Sequence, residues 1–189
     1  VVLMKSNIPV IIRSSIIRIF PRICIANKRL YKRVIESMGA TLALCKEAES
    51  SSSTSKSLLL SADQILELRI AIVANVADLA REDRIRDTTD VIGWIQSFIH
   101  DAGWVRATST RDHDQQFGDA GLVHYAILAL HYLVVAQEMD YKLVVSVLSK
   151  RLCNVHDLDK IQRLPPLVLE ALILLLGDGE IEDEDDSDE

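Results

Sequence analysis

The sequence predicts an all-α fold: an α-solenoid of HEAT/armadillo-like antiparallel helix pairs, about seven helices in all. Three observations predict it. Of 189 residues, 49% are hydrophobic and only 5% aromatic, with 7 Gly and 4 Pro. A β-sandwich or barrel of this length needs more turn residues. The apolar residues recur at helical spacing, in segments too long for strands. Finally, residues 119–176 read as three apolar helices in quick succession: DAGLVHYAILALHYLVVAQEM, DYKLVVSVLSKRL and PPLVLEALILLLG. Each is too apolar to stand alone in water, and the breaks between them are short. Stacked repeats of about 40 residues bury such faces against their neighbours. No clean sequence repeat accompanies the pattern, and a compact helical bundle is the alternative arrangement.

The elements follow in order. Val1 to Met4 reads as the end of a preceding helix, and a chain opening on Val1 is expected to be part of a longer one. Asn7-Ile8-Pro9 is a helix start, with Pro early in the first turn. That helix runs to about Phe20, with Ile8, Ile12, Ile16, Ile19 and Ile23 spaced as a buried stripe. Pro21 marks its end or a kink. A second helix spans about Asn27 to Lys46, with Leu30, Val34, Met38, Leu42 and Cys45 on one face.

Glu49 to Ser57 holds six serines, a threonine and a lysine, so residues 47–60 are expected to be a flexible Ser-rich linker. Ser61 and Gln64 form a capping box for a third helix, Ala62 to about Glu82. Its stripe is Ile65, Leu68, Ile72, Val76 and Leu79. Thr89 or Asp87 caps the fourth helix, which carries Val91, Trp94, Ile95, Phe98 and Ile99 and ends at Ala102-Gly103. Residues 103–118 form a polar loop. Asp119 is the expected cap of the fifth helix and Asp140 of the sixth, which ends near Leu152. A short turn over 157–163 precedes the seventh helix, opened by Pro165-Pro166 and closed at Gly177. The helical-repeat segment is thus 1–177, and 178–189 is an acidic tail expected to be disordered.

The net charge of −7 is unevenly distributed. Lys5, Arg13, Arg18, Arg22, Lys28, Arg29, Lys32 and Arg33 oppose only Glu36 in the first forty residues, while nine of the last twelve are acidic. Cations at the start of the second helix oppose its dipole by about a few tenths of a kcal/mol. That small cost is compatible with a basic surface kept for a partner. Arg29, Lys32 and Arg33 are the candidate interaction surface, and nucleic acid is the alternative partner through them. No nucleic-acid-binding motif surrounds them, and a solvated face is the plain reading.

Cys24, Cys45 and Cys153 are odd in number and far apart, without a metal-pair spacing, and read as reduced, buried thiols of a cytoplasmic protein. Arg13 and Arg18 interrupt the first apolar run, and no stretch reaches the ~20 residues of a membrane span. His124 and His131 share a face, but no third ligand is placed beside them, so they are expected to bond a neighbouring backbone. Arg111-Asp112-His113-Asp114 reads as a solvated loop. Ser14, Ser15, Ser146 and Ser149 lie inside helices without a nucleophile turn. No cofactor, metal or catalytic residue is expected, and the chain reads as no enzyme.

One resemblance adds to this reading. ALHYLVVAQEMDYKLVVSVLSKRL followed by LPPLVLEALILLL resembles the helical domain of the focadhesin family, where a "VLS-x-K/R-L" segment precedes a Pro-Leu-Val/Ile-Leu helix. RSSIIRIFPRICIANKRLYKRVIESM and ELRIAIVANVADLAREDRIRD resemble its preceding helices. The serine linker, the polar insertion Thr108 to Gln116 and the acidic tail depart from that pattern. The resemblance implies a large HEAT/armadillo-like scaffold without enzymatic activity. It also implies protein partners in cytosolic RNA surveillance, bridging the superkiller complex and the exosome, or an adhesion-associated role. It transfers no binding residues.

Overall fold

The computed structural model describes residues 9–50, 60–82, 85, 89–101, 113–137, 139–152 and 166–177, and among these it is all-helical. All seven expected helices are present, the first of them split in two. The helices are α1 (Val10–Arg18), α2 (Phe20–Ala26), α3 (Tyr31–Ser50), α4 (Ala62–Arg81), α5 (Thr89–Asp101), α6 (His113–Val135), α7 (Tyr141–Leu152) and α8 (Pro166–Gly177), with a 3-10 turn over Lys28–Leu30.

The split follows from Pro21. Lacking an N–H and crowding the carbonyl four residues back, a proline belongs in a first turn. Here it sits at the start of α2, and the chain breaks at Ile19, whose N–H bonds Ile16 O at 3.2 Å. Pro9 occupies the N-cap position of α1 without a side-chain cap; Asn7 lies outside the described residues.

The first stripe is a correction. Ile12 and Ile19 are exposed, and Ile16 and Ile23 are only half-buried. The face of α1 turned inward instead carries Val10, Arg13, Ser14 and Ile17. The isoleucine spacing was sound as helical periodicity but chose the wrong side. Ser14 is held inward by Glu67 of α4, its hydroxyl 2.6 Å from Oε1, and a carboxylate is a strong acceptor for it.

Of the second stripe, Val34, Met38, Leu42 and Cys45 of α3 are buried, whereas Leu30 is half-buried in the 3-10 turn, α3 itself starting at Tyr31 rather than Asn27. All five named positions of α4 are buried. Each aliphatic side chain fully withdrawn from water contributes about 1.5–3 kcal/mol, so α4 alone anchors much of the core. Ser61 and Gln64 form the expected reciprocal capping box. In α5, Val91, Ile95, Phe98 and Ile99 are buried and Trp94 half-buried.

Two boundaries move. α3 continues to Ser50, four residues into the stretch read as linker, and Leu60 packs on the core; 51–59 lie outside the described residues. α6 begins at His113, so 113–118 are helical rather than loop, and Asp119 is an interior residue rather than a cap. Asp is a poor helix interior residue but an allowed one when the turns around it are packed. Asp140 does cap α7: Lys142 N–H donates to its Oδ1 at 2.8 Å. Between them the chain turns at Gln137, whose φ of 58° places it in the left-handed region.

α4 packs on α1 on one side and α6 on the other, and α6 in turn packs on α8. α5 lies against α6 and α7, and α3 against α4. No helix among the described residues is long and apolar enough to cross a membrane. Cys153, the expected turn at 157–163 and the acidic tail fall outside the described residues.

Candidate interaction surfaces

The basic turn is built by Asn27. Its extended backbone (φ −144°, ψ 97°) lets its side chain accept the Arg29 N–H at 3.1 Å, which starts the 3-10 turn leading into α3. Lys28, Arg29, Lys32 and Arg33 are all exposed. The four-residue spacing of Lys28 to Lys32 and of Arg29 to Arg33 stacks them on one side. Val34 and Met38 occupy the buried side. Arg29 stands in the 3-10 turn and Lys32 and Arg33 in the first turn of α3, all three open to solvent.

A second feature was not legible from charge. α3 and α5 approach closely at Gly39, where an added Cβ would lie 3.1 Å from Trp94 Cζ2. Beside this contact opens a cleft of about 360 Å³. Trp94 and Phe98 wall it on α5, Leu42 and Lys46 on α3, and Asp90 and Ser97 add a carboxylate and a hydroxyl. Arg69 of α4 closes one side, its Nη2 2.8 Å from Glu49 Oε2. The lone glycine in the middle of a helical stretch was the available signal. A glycine there costs about 1 kcal/mol against alanine, which a close approach can justify.

Cys45 is fully buried near this ion pair. Burial pushes its thiol up to about 11, with Arg69 drawing it down, Glu49 raising it and Arg13 drawing it down by smaller amounts. Cys24 is raised by burial too. A thiol that stays protonated at neutral pH is a packing group rather than a nucleophile.

The histidines of α6 go separate ways. His124 Nδ1–H donates to Leu167 O at 2.8 Å, tying α8 to α6. A carbonyl can only accept, which fixes the proton on Nδ1. His131 is buried, edge-on to Tyr132 at 5.0 Å. Among the described residues no three His, Cys, Asp or Glu side chains are grouped to hold a metal. The side chains of Arg111, Asp112, His113 and Asp114 lie outside the described residues.

Comparison with protein-family models, curated proteins and solved structures finds no match in any of the three.

Proposed function

We propose that the chain is a non-catalytic helical-repeat scaffold of the HEAT/armadillo-like solenoid type, which holds protein partners on surfaces made by successive helices. One observation carries this reading. α1, α4, α6 and α8 pack in sequence, each on the next, while α5 leans on α6 and α7. A row in which each helix covers the next is how a repeat array buries faces that no single unit can bury. The focadhesin-like segments extend the proposal to a bridging role in cytosolic RNA surveillance. The buried thiols Cys24 and Cys45 suit a reducing cytoplasm.

The test is affinity capture of the tagged chain from cytosol at low and at moderate salt, read by mass spectrometry. The expected result is salt-resistant recovery of RNA-decay machinery, lost when the cleft is filled by Gly39→Leu and kept in Arg29→Ala. Recovery of only salt-labile basic proteins would overturn the bridging role.

A second reading rests on the basic turn. Arg29, Lys32 and Arg33 are exposed together, and such a cluster can neutralise phosphates with binding that weakens steeply with salt. Reversing all three to Glu would abolish RNA or DNA binding measured by fluorescence anisotropy. No binding by the parent chain, or equal binding by the reversed one, would overturn this reading.

A further inference from the structure

Among the described residues, the helices at the two ends of the row carry exposed apolar side chains. On α1, Ile11, Ile12 and Ile19 point outward, with Ile11 69% exposed. At 100° per residue they fall within a sector roughly 100° wide, opposite the Arg13, Ser14 and Ile17 side that meets α4. On α8, Val168, Ala171, Leu172 and Leu175 are buried, while Leu167, Ile173, Leu174 and Leu176 are exposed, Ile173 by 67%. Clusters of exposed apolar side chains on a helix mark interaction sites.

The faces are also complementary in charge. Exposed Arg18 borders the isoleucines of α1, and exposed Arg22 follows in α2. Exposed Glu170 lies amid the outward leucines of α8, and the sequence after Gly177 is the acidic run. α1 and α8 lie at opposite ends of the packing order α1–α4–α6–α8. Apposing α8 of one molecule to α1 of another would therefore extend the same helix-on-helix row with isoleucines against leucines and Arg18 near Glu170.

We propose that the outward faces of α1 and α8 are the two halves of one head-to-tail contact between copies of this chain. The contact is heterologous, so each molecule keeps one free half of each kind and association continues beyond the dimer. The inference rests on the row packing that supports the scaffold reading, and it names a partner that reading does not: a second copy.

The experiment is sedimentation velocity on the 189-residue chain over a wide concentration range, with two variants. Ile12→Glu with Ile19→Glu blocks the α1 half; Leu174→Glu blocks the α8 half. Each position points outward, so circular dichroism and melting should match the parent. The parent's mean mass should climb with concentration above 21.1 kDa and pass the dimer. Each variant alone should stay at monomer mass, and an equimolar mixture should form a 1:1 complex that grows no further, since one intact half of each kind remains. Raised salt should weaken the complex.

A monomeric parent chain at every concentration would overturn the proposal, leaving the faces to a different partner and the capture experiment unaffected. A variant that still dimerises alone would replace head-to-tail contact with a symmetric one. A mixture that fails to pair would show that the halves are not complementary, and loss of helix in a variant would show that its position does not face outward.

Discussion

Leu130 lies in α6, which packs between α4 and α8, and its side chain is wholly withdrawn from solvent. Leu130→Ala removes about three carbons, each contributing roughly 0.8 kcal/mol of transfer free energy. The cavity left behind adds to that, and the helices around it close it only partly. The expected loss is ~3–4 kcal/mol, within the ~2–5 kcal/mol span of such substitutions. In a chain of this length 1 kcal/mol moves the Tm by about 2–4 °C, so the Tm should fall by about 6–16 °C. Leu143 of α7 is the comparison. It also sits in an apolar helical run, but it is 44% exposed, and Leu143→Ala should cost less than about 1 kcal/mol. Far-UV circular dichroism melts of both variants and the parent decide the matter. Equal melting temperatures for the two, or a larger fall for Leu143→Ala, would refute the burial of α6 between its neighbours.

Gln137 holds a left-handed φ of 58° just past α6, a conformation costing a non-glycine residue about 1–2 kcal/mol. Gln137→Gly should therefore raise stability by about 0.5–1 kcal/mol in urea titration, after the flexibility glycine adds to the unfolded chain. Asp140→Ala removes the acceptor of the Lys142 N–H and should cost about 1 kcal/mol, or about 2–4 °C in Tm. Cys45 gives a pH dependence. Its folded thiol is raised to about 11, against about 8.5 for a free thiol. Below the lower value both states are protonated and stability is complete. As pH rises between the two, only the unfolded chain ionises, so stability falls. The Tm of the parent should drop across that window more than that of Cys45→Ala, and identical slopes would refute the burial of the thiol.

What the sequence revealed, and what it hid, divides along physical lines. The stripes of α3 and α4 were legible because every apolar position on one face met the core. Ser61, Asp140 and Pro166 were legible because caps and first-turn prolines act on their own backbone. The stripe of α1 was misread because periodicity reports that an apolar face exists, not which neighbour covers it. Nothing local tells that Ser14 will bond a carboxylate 53 positions away. The early start of α6 was hidden because Asp119 carries a cap signal that the turns around it override. The exposure of Arg29, Lys32 and Arg33 was legible because cations stay in water unless a partner charge draws them inward. The cleft beside Gly39 and Trp94 was not, since it depends on how α5 lies on α3.

The packing order of the helices also fixes how the molecule comes apart. α4 and α6 are each gripped from two sides, whereas α1 and α8 each lean on a single neighbour in the row. Local opening then begins at the outer helices and reaches the middle last. Amide hydrogens should exchange fastest in α1 and α8 and slowest in the centres of α4 and α6. Each packed pair in the row is separated along the chain by at least one other helix, so each contact closes a loop, at an entropic cost that grows only slowly with loop length. Refolding can start in the middle and spread outward, and whatever settles on either end slows the exchange of that end first.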